Sequence, residues 1–242
     1  LTQGQLIDLM NNLTEQQKQA ERLFEQTATS LVTAIDAKDV YSHGHSIRVA
    51  EYSERIARMM GKSDEECRKV YYAGLLHDVG KLGISDAIIT KNGKLTPEEY
   101  AEIKKTPVMG NQILSSISDY PYISIAAHYH HERYDGKGYP DGLKGNDIPE
   151  IARIISVADA YDAMSSNRSY RSDIPQQIIR EEIVAGAGIQ FDPDIAMIMR
   201  HMIDLDSDYR MKERETVREL GENNEMHCDA YRSEISNGIV VW

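Results

Sequence analysis

Between Asp39 and about Ala163 the chain repeats one pattern: apolar residues at spacings of three and four, broken by short polar segments, with almost no alternation of period two. That spacing puts one face of a helix against a core and leaves strands without a face to bury, so the body reads as all-α. Helical stretches run over Ser46–Met60, Ser63–Leu76, Thr96–Lys105 and Met109–Ser116, resume over Ile151–Ser165, and restart after Pro175 and at Phe191-Asp192-Pro193. Thr96-Pro97-Glu98-Glu99 is a strong helix start, with a capping hydroxyl, a proline in the first turn and a carboxylate that reaches back to the cap. Tyr134–Pro149 breaks the pattern. Gly136, Gly138, Pro140, Gly142, Gly145 and Pro149 cannot continue a helix and predict a long structured loop.

Ahead of the body, Leu1 to about Asp36 lacks proline, has only Gly4, and places Leu6, Leu9, Leu13, Gln16, Ala20, Leu23 and Thr27 at heptad spacing. This predicts one long helix. The polar Gln16 and Thr27 interrupt its seam, which leaves two readings open: a helix docked on its own domain, or a dimerising signal helix. Beyond about Asp208 the sequence turns polar through Arg232 and ends in Ile239-Val240-Val241-Trp242. We read three parts: an N-terminal helix over 1–36, a helical domain over 37–207, and a polar extension or linker over 208–242.

At 242 residues the chain is long enough to bury a full core. A net charge of −12 argues against DNA or RNA as partners, because counterion release needs a clustered basic surface. It leaves room for a small anionic ligand, since metal ions and a few local Lys or Arg side chains can reverse the field in one pocket. No run of about 18 apolar residues occurs, so the chain is expected to be soluble. Cys67 and Cys228 stand far apart and form no framework, which fits a reducing cytoplasm. Leu1 in place of an initiator Met reads as a cut inside a longer parent, one whose other domains could form a membrane-associated sensor.

The strongest chemical signal is His77-Asp78, a polar pair inside Ala73-Gly74-Leu75-Leu76-His77-Asp78-Val79-Gly80-Lys81, a stretch that otherwise reads as buried. Burying both groups unpaired costs several kcal/mol, roughly 2–7 per polar group, and metal coordination removes that cost. By itself the dipeptide is weak evidence, because most such pairs are structural. Its surroundings strengthen it: His43 and His45 precede a helix, His128, His130 and His131 precede the glycine-rich loop, and Asp159 lies on the apolar Ile155–Ala160 stretch. A lone histidine is more often a satisfied core residue, and a lone aspartate a cap or salt-bridge partner. Repeated histidines beside carboxylates instead suit two metal ions clamping a phosphodiester.

In chain order, HSIRVA, LLHDVGKLGI, GKLTPEEYAEIKK, YHHERYDGKGYPDGLKG, ISVADAYDAM and NRSYR resemble the HD-GYP subfamily of the HD phosphohydrolases, over about residues 29 to 204. His77-Asp78 match the HD signature and Gly138-Tyr139-Pro140 the GYP signature. The resemblance implies an all-α HD-type helical bundle that hydrolyses cyclic di-GMP to pGpG, and in some members on to GMP, through a metal-bridging hydroxide. It further implies a cofactor of two divalent ions, Fe or Mn first and Zn among the others. His45, His77, Asp78 and Asp159 correspond to ligands of the first ion, with Asp78 bridging to the second, and His130 and His131 to ligands of the second. Lys81 and Asp78 take the catalytic positions, the lysine stabilising developing phosphate charge. Arg168, Arg171 and Tyr139 correspond to substrate-binding positions, against an ordinary reading of surface charge and loop packing.

The sequence departs from the family at two positions. Thr106 stands where the family usually has a histidine ligand of the second ion, and a neutral hydroxyl is a far weaker donor, leaving that ion loosely held, completed by water, or absent. Tyr41, four residues before His45, stands where members able to hold a third metal carry glutamate. Three functions therefore stay open: a cyclic di-GMP phosphodiesterase, a degenerate non-catalytic cyclic-dinucleotide-binding module, and an HD phosphohydrolase for another nucleotide. The heptad helix adds the expectation of a homodimer.

Overall fold

The computed structural model describes residues 2–37, 44–91, 93–166 and 174–211. Tyr41, His43, Arg168, Arg171, Cys228 and the extension from 212 on lie outside the described residues. Among the described residues there is no strand, only an isolated bridge between Ala187 and Phe191, so the all-α expectation holds.

The helices are α1 (Gln3–Asp36), α2 (His45–Met59), α3 (Asp64–Leu76), α4 (Asp86–Ile89), α5 (Pro97–Ile103), α6 (Thr106–Leu114), α7 (Pro121–Tyr129), α8 (Glu150–Ser165), α9 (Gln176–Ala185) and α10 (Pro193–Leu205). Thr2, Ser63 and Thr96 open α1, α3 and α5 with reciprocal capping boxes. Three stretches differ from the sequence reading, the first being the short α4, which is not among the expected spans. α6 starts at Thr106, three residues before the expected Met109, because Pro107 is tolerated in a first turn where its missing N–H has no partner to lose. α7, not among the spans expected above, begins at Pro121 with no capping side chain to announce it.

α8 organises the core. Ala152, Ile154, Ile155, Val157, Ala158, Ala160, Tyr161, Ala163 and Met164 are all buried, so the helix is covered on nearly every side, by α2, α3, α7, α9 and α10. A helix with that environment carries little amphipathic signal, and a charged residue in its middle, such as Asp159 or Asp162, faces protein. A second cluster joins α1, α2, α3 and α7 through Ala28, Val32, Ile35, Ala50, Leu75, Leu76, Val79 and Ile123.

α1 splits the two readings of its sequence along its length. Its last turns dock, with Phe24 stacked on Tyr120 at 4.6 Å and edge-on to Tyr72 at 5.0 Å. The seam residues Leu6, Leu9 and Leu13 are 46–56% exposed, so the first half projects from the body. At the other end, Tyr209 donates to the Ile174 carbonyl and the Met211 amide to Asp206, which keeps the chain against the body as far as it is described. No helix among the described residues is long and apolar enough to cross a membrane.

The 3-10 turn Val79–Gly83 packs against α6 so closely that a Cβ on Gly80 would sit 1.9 Å from the Thr106 carbonyl oxygen. Backbone cannot yield as a flexible side chain can. Gly80→Ala is expected to destabilise by about 2 kcal/mol or more, overpacking in its direct form, and to lower Tm by about 5 °C. Thermal unfolding of the variant beside the parent checks this, and an unchanged Tm would mean that the turn and α6 are not in contact.

Candidate metal centre

Three helix ends and one helix middle deliver the polar groups to a single point. His45 opens α2, His77 and Asp78 close α3, His130 closes α7, and Asp159 projects from the middle of α8. All but Asp159 are buried, and Asp159 is nearly so. Two donor groups result, His45 with His77 and Asp159, and His77 with Asp78 and His130, the donor atoms of each lying within 4.8 Å of one another. His45 Nε2 is 3.3 Å from Asp159 Oδ1 and 3.6 Å from Asp78 Oδ2, while His130 Nε2 is 3.9 Å from Asp78 Oδ1.

The tautomers follow from the partners on the other ring nitrogen. His77 Nδ1–H donates to the Gly74 carbonyl at 2.7 Å, and His130 Nδ1–H to the Ala127 carbonyl at 3.0 Å. His45 Nδ1–H donates to the Asp162 carboxylate at 2.7 Å. A carbonyl or an ionised carboxylate can only accept, so each Nδ1 carries its proton and, in the neutral ring, each Nε2 turns a lone pair inward. His77 Nε2 and His130 Nε2 are buried with no hydrogen-bond partner. Unpartnered nitrogens facing two carboxylates are what a divalent cation would satisfy, so the residues present fit a metal ion.

Charge is distributed to match. Burial lowers His77 and His130 to about 4 each, so both rings are neutral at pH 7. Burial and the neighbouring His130 hold His131 well below its ordinary value. Asp78 stays ionised despite its burial because Lys81, with Nζ 2.7 Å from Oδ2, and His77 and His45 outweigh the desolvation. Asp159 is pushed up by burial and by Asp78. Burial also opposes charge on His45, yet its bonds to Asp162 and Asp78 and the charges of Asp162 and Asp159 outweigh it and raise the ring to about 10.

Around this point lie the other expected residues. His131 packs its ring 4.0 Å from that of His130 and stacks on Tyr139 at 4.9 Å, bringing the glycine-rich loop to the rim of the centre. Gly138 is required there, since a Cβ would meet the Arg133 nitrogen at 2.3 Å. Lys104, which caps the end of α5, lies over the Tyr100 ring at 4.5 Å and the Tyr139 ring at 5.7 Å. Thr106 is buried at the start of α6, against the turn that follows Asp78.

Several supporting residues escaped the sequence reading. Glu132 is buried and accepts from the Asp141 and Gly142 amides at 2.7 and 2.9 Å, tying down the loop that carries Tyr139. Asp36, the last residue of α1, accepts from Ser46 beside His45 at 3.1 Å. Asp162 and Arg48 form the network behind His45. The one signal for them was spacing: Asp162 lies three residues after Asp159, and Arg48 three after His45.

The opposed shifts set a pH profile for the metal-free protein. His77 and His130 bind fewer protons folded than unfolded, so stability is lost as pH falls from about 6.5 toward 4. His45 binds more, so its contribution is full below about 6.5 and is lost as pH rises through about 10. Thermal unfolding of chelator-treated protein from pH 5 to 10 should peak near neutrality, with the alkaline decline flattened in His45→Gln. An alkaline limb unaffected by that variant would show that His45 is not the group responsible.

A family model described as HD domain matches residues 11–195. The 3'3'-cGAMP-specific phosphodiesterase 2 of Vibrio cholerae serotype O1 is 37% identical over 196 residues, covering 80% of this chain and 36% of that protein. The cyclic di-GMP phosphodiesterase of Thermotoga maritima is 38% identical over 189 residues, covering 74% of this chain and 51% of its own length. The chain thus spans about half or less of these relatives. A crystal structure of a cyclic GMP-AMP specific phosphodiesterase of V. cholerae superposes with a TM-score of 0.59 at 20% identity, over 76% of this chain and 49% of that one, and shares the fold.

Proposed function

The chain belongs to the HD domain family and is of its HD-GYP type, and from that membership we propose that it is a metal-dependent phosphodiesterase of cyclic dinucleotides, with cyclic di-GMP as substrate. The observation that carries this reading is the convergence of His45, His77, Asp78, His130 and Asp159 with their Nε2 and carboxylate donors turned to one point beside the Tyr139 loop. His45, His77, Asp78 and Asp159 would hold a first divalent ion, and Asp78, His130 and His131 a second. When bound, such ions supply Lewis-acid charge to a phosphodiester and acidify a water at neutral pH.

The chain's own residues do the rest. Lys81, fixed by Asp78, sets a positive charge at the centre's edge, suited to the oxygens of a phosphodiester as negative charge builds on them. Tyr139, with its ring stacked on His131, offers a flat apolar surface to a base. Arg168 and Arg171 are assigned to phosphate or guanine, where a guanidinium can bind bidentately. The reading places the domain in the cytoplasm, where cyclic dinucleotides signal, and the exposed Leu6, Leu9 and Leu13 support pairing of α1 with a second copy.

Two alternatives have their own support. The relative named for 3'3'-cGAMP supports that cyclic dinucleotide as substrate. Thr106 supports a module that binds without turnover, since its hydroxyl is a poor replacement for an imidazole.

One experiment separates the three. Anaerobically purified protein is assayed for metal per protomer and for turnover of cyclic di-GMP, 3'3'-cGAMP and cyclic di-AMP with added Mn(II) or Fe(II), beside Thr106→His and Asp78→Asn. The expected outcome is fastest turnover of cyclic di-GMP, lost by about 10²-fold or more in Asp78→Asn and restored by metal after chelation. Preference for 3'3'-cGAMP would move the substrate. Activity confined to Thr106→His would make the natural domain a binding module.

A further inference from the structure

Of the three inward-facing histidines, His77 and His130 are oriented by backbone carbonyls, and His45 alone by a side chain. That side chain, Asp162, is buried to 1% and sits one helical turn beyond Asp159 on α8, facing the start of α2. Its two oxygens are fully engaged. Oδ1 accepts from Arg48 Nε at 2.6 Å, and Oδ2 accepts from His45 Nδ1 at 2.7 Å, Arg48 Nη2 at 3.1 Å and Ser166 Oγ at 3.1 Å. Arg48 Nη2 also donates to Ser166 Oγ at 3.1 Å, which closes the network.

We propose that Asp162 is the positioning residue of this centre: held in place by Arg48 and Ser166, it fixes the His45 ring and its Nδ1–H tautomer, so that Nε2 faces Asp78 and Asp159 as a lone-pair donor. The inference rests on the metal-site reading above. Among the described residues, His45, Arg48 and Ser166 each donate to the Asp162 carboxylate, so the site demands an acceptor on both oxygens. His45 stands first in α2, after a glycine cap with no side-chain bond to hold it, so little else in its own helix fixes the ring. The carboxylate reaches it from a residue 117 positions away and couples α2 to α8, the two helices that carry His45 and Asp159. Partners behind a ligating histidine of this kind typically change metal affinity by about 10- to 100-fold when removed.

Asp162→Asn preserves shape and replaces one acceptor by an NH2 donor. Turned toward His45, that amide forces the ring proton onto Nε2 and removes the inward lone pair; turned toward Arg48, it sets donor against donor. Zn(II) affinity, measured by competition with a chromophoric chelator, is expected to fall about 10- to 100-fold in Asp162→Asn and further in His45→Gln. A second measurement needs no variant. In the Zn(II)-loaded parent protein, long-range nitrogen–proton NMR of the histidines should show His45 with a proton on Nδ1 and none on Nε2. Affinity in Asp162→Asn equal to the parent, or a His45 ring with Nδ1 unprotonated, would overturn the proposal. Unchanged affinity in His45→Gln would instead remove His45 from the metal site, and the proposal with it.

Discussion

The structure turns on keeping charge inside an apolar bundle. Asp78 and Asp159 lie on or against helices whose other faces are closed by Ile, Val, Ala and Met, and two ionised carboxylates there would each be costly without compensation. Lys81 offsets Asp78 directly, and the histidines bring nitrogen lone pairs or, at His45, a proton. A centre built this way is primed for a cation. The surrounding helices must meet at fixed angles for the donors to converge, so the chemistry of the centre and the packing of the body are one constraint.

That constraint explains where the polar groups sit along their elements. Helix ends expose carbonyls and amides with no intrahelical partner, and placing His45, His77 and His130 there lets backbone and side chain share the work of orienting each ring. Asp159 is the exception, in mid-helix, and α8 can carry it because Asp162 and Arg48 form a compensated pair one turn away. The loop from Arg133 to Leu143 is tied to the same frame by Glu132, so Tyr139 keeps a fixed relation to His131 although it lies in an irregular segment. α1 reaches the centre as well, through Asp36 and Ser46, while its first half stands clear of the body.

Much of this architecture was legible in the sequence, because helix periodicity, capping boxes and glycine-rich breaks are local properties. Capping at Thr96, the single long α1, the loop at Tyr134–Pro149 and the histidine clusters all follow from neighbours within a few residues. The start of α6 and the whole of α7 escaped because prolines at their first turns and aromatic, β-branched sequence give weak local preference, so packing decided them. The homology-based ligand set named residues that the fold brings together. Glu132 and Asp36 were missed because nothing near them in the chain marks a buried network, and Asp162 and Arg48 because a spacing of three from Asp159 and His45 does not show that they meet.

By itself, then, the sequence determined an all-α body with one long N-terminal helix, an acidic chain, and clusters of histidine and aspartate with the chemistry for metal. Tertiary structure decided which nitrogen of each ring faces inward, which carboxylate pairs with Lys81, and which part of α1 is covered. The physical reason is range. A capping hydroxyl acts over three residues, whereas His45 and Asp162 are 117 apart and Arg48 and Asp162 are 114 apart. Only the packing of α2 against α8 brings those partners within a hydrogen bond.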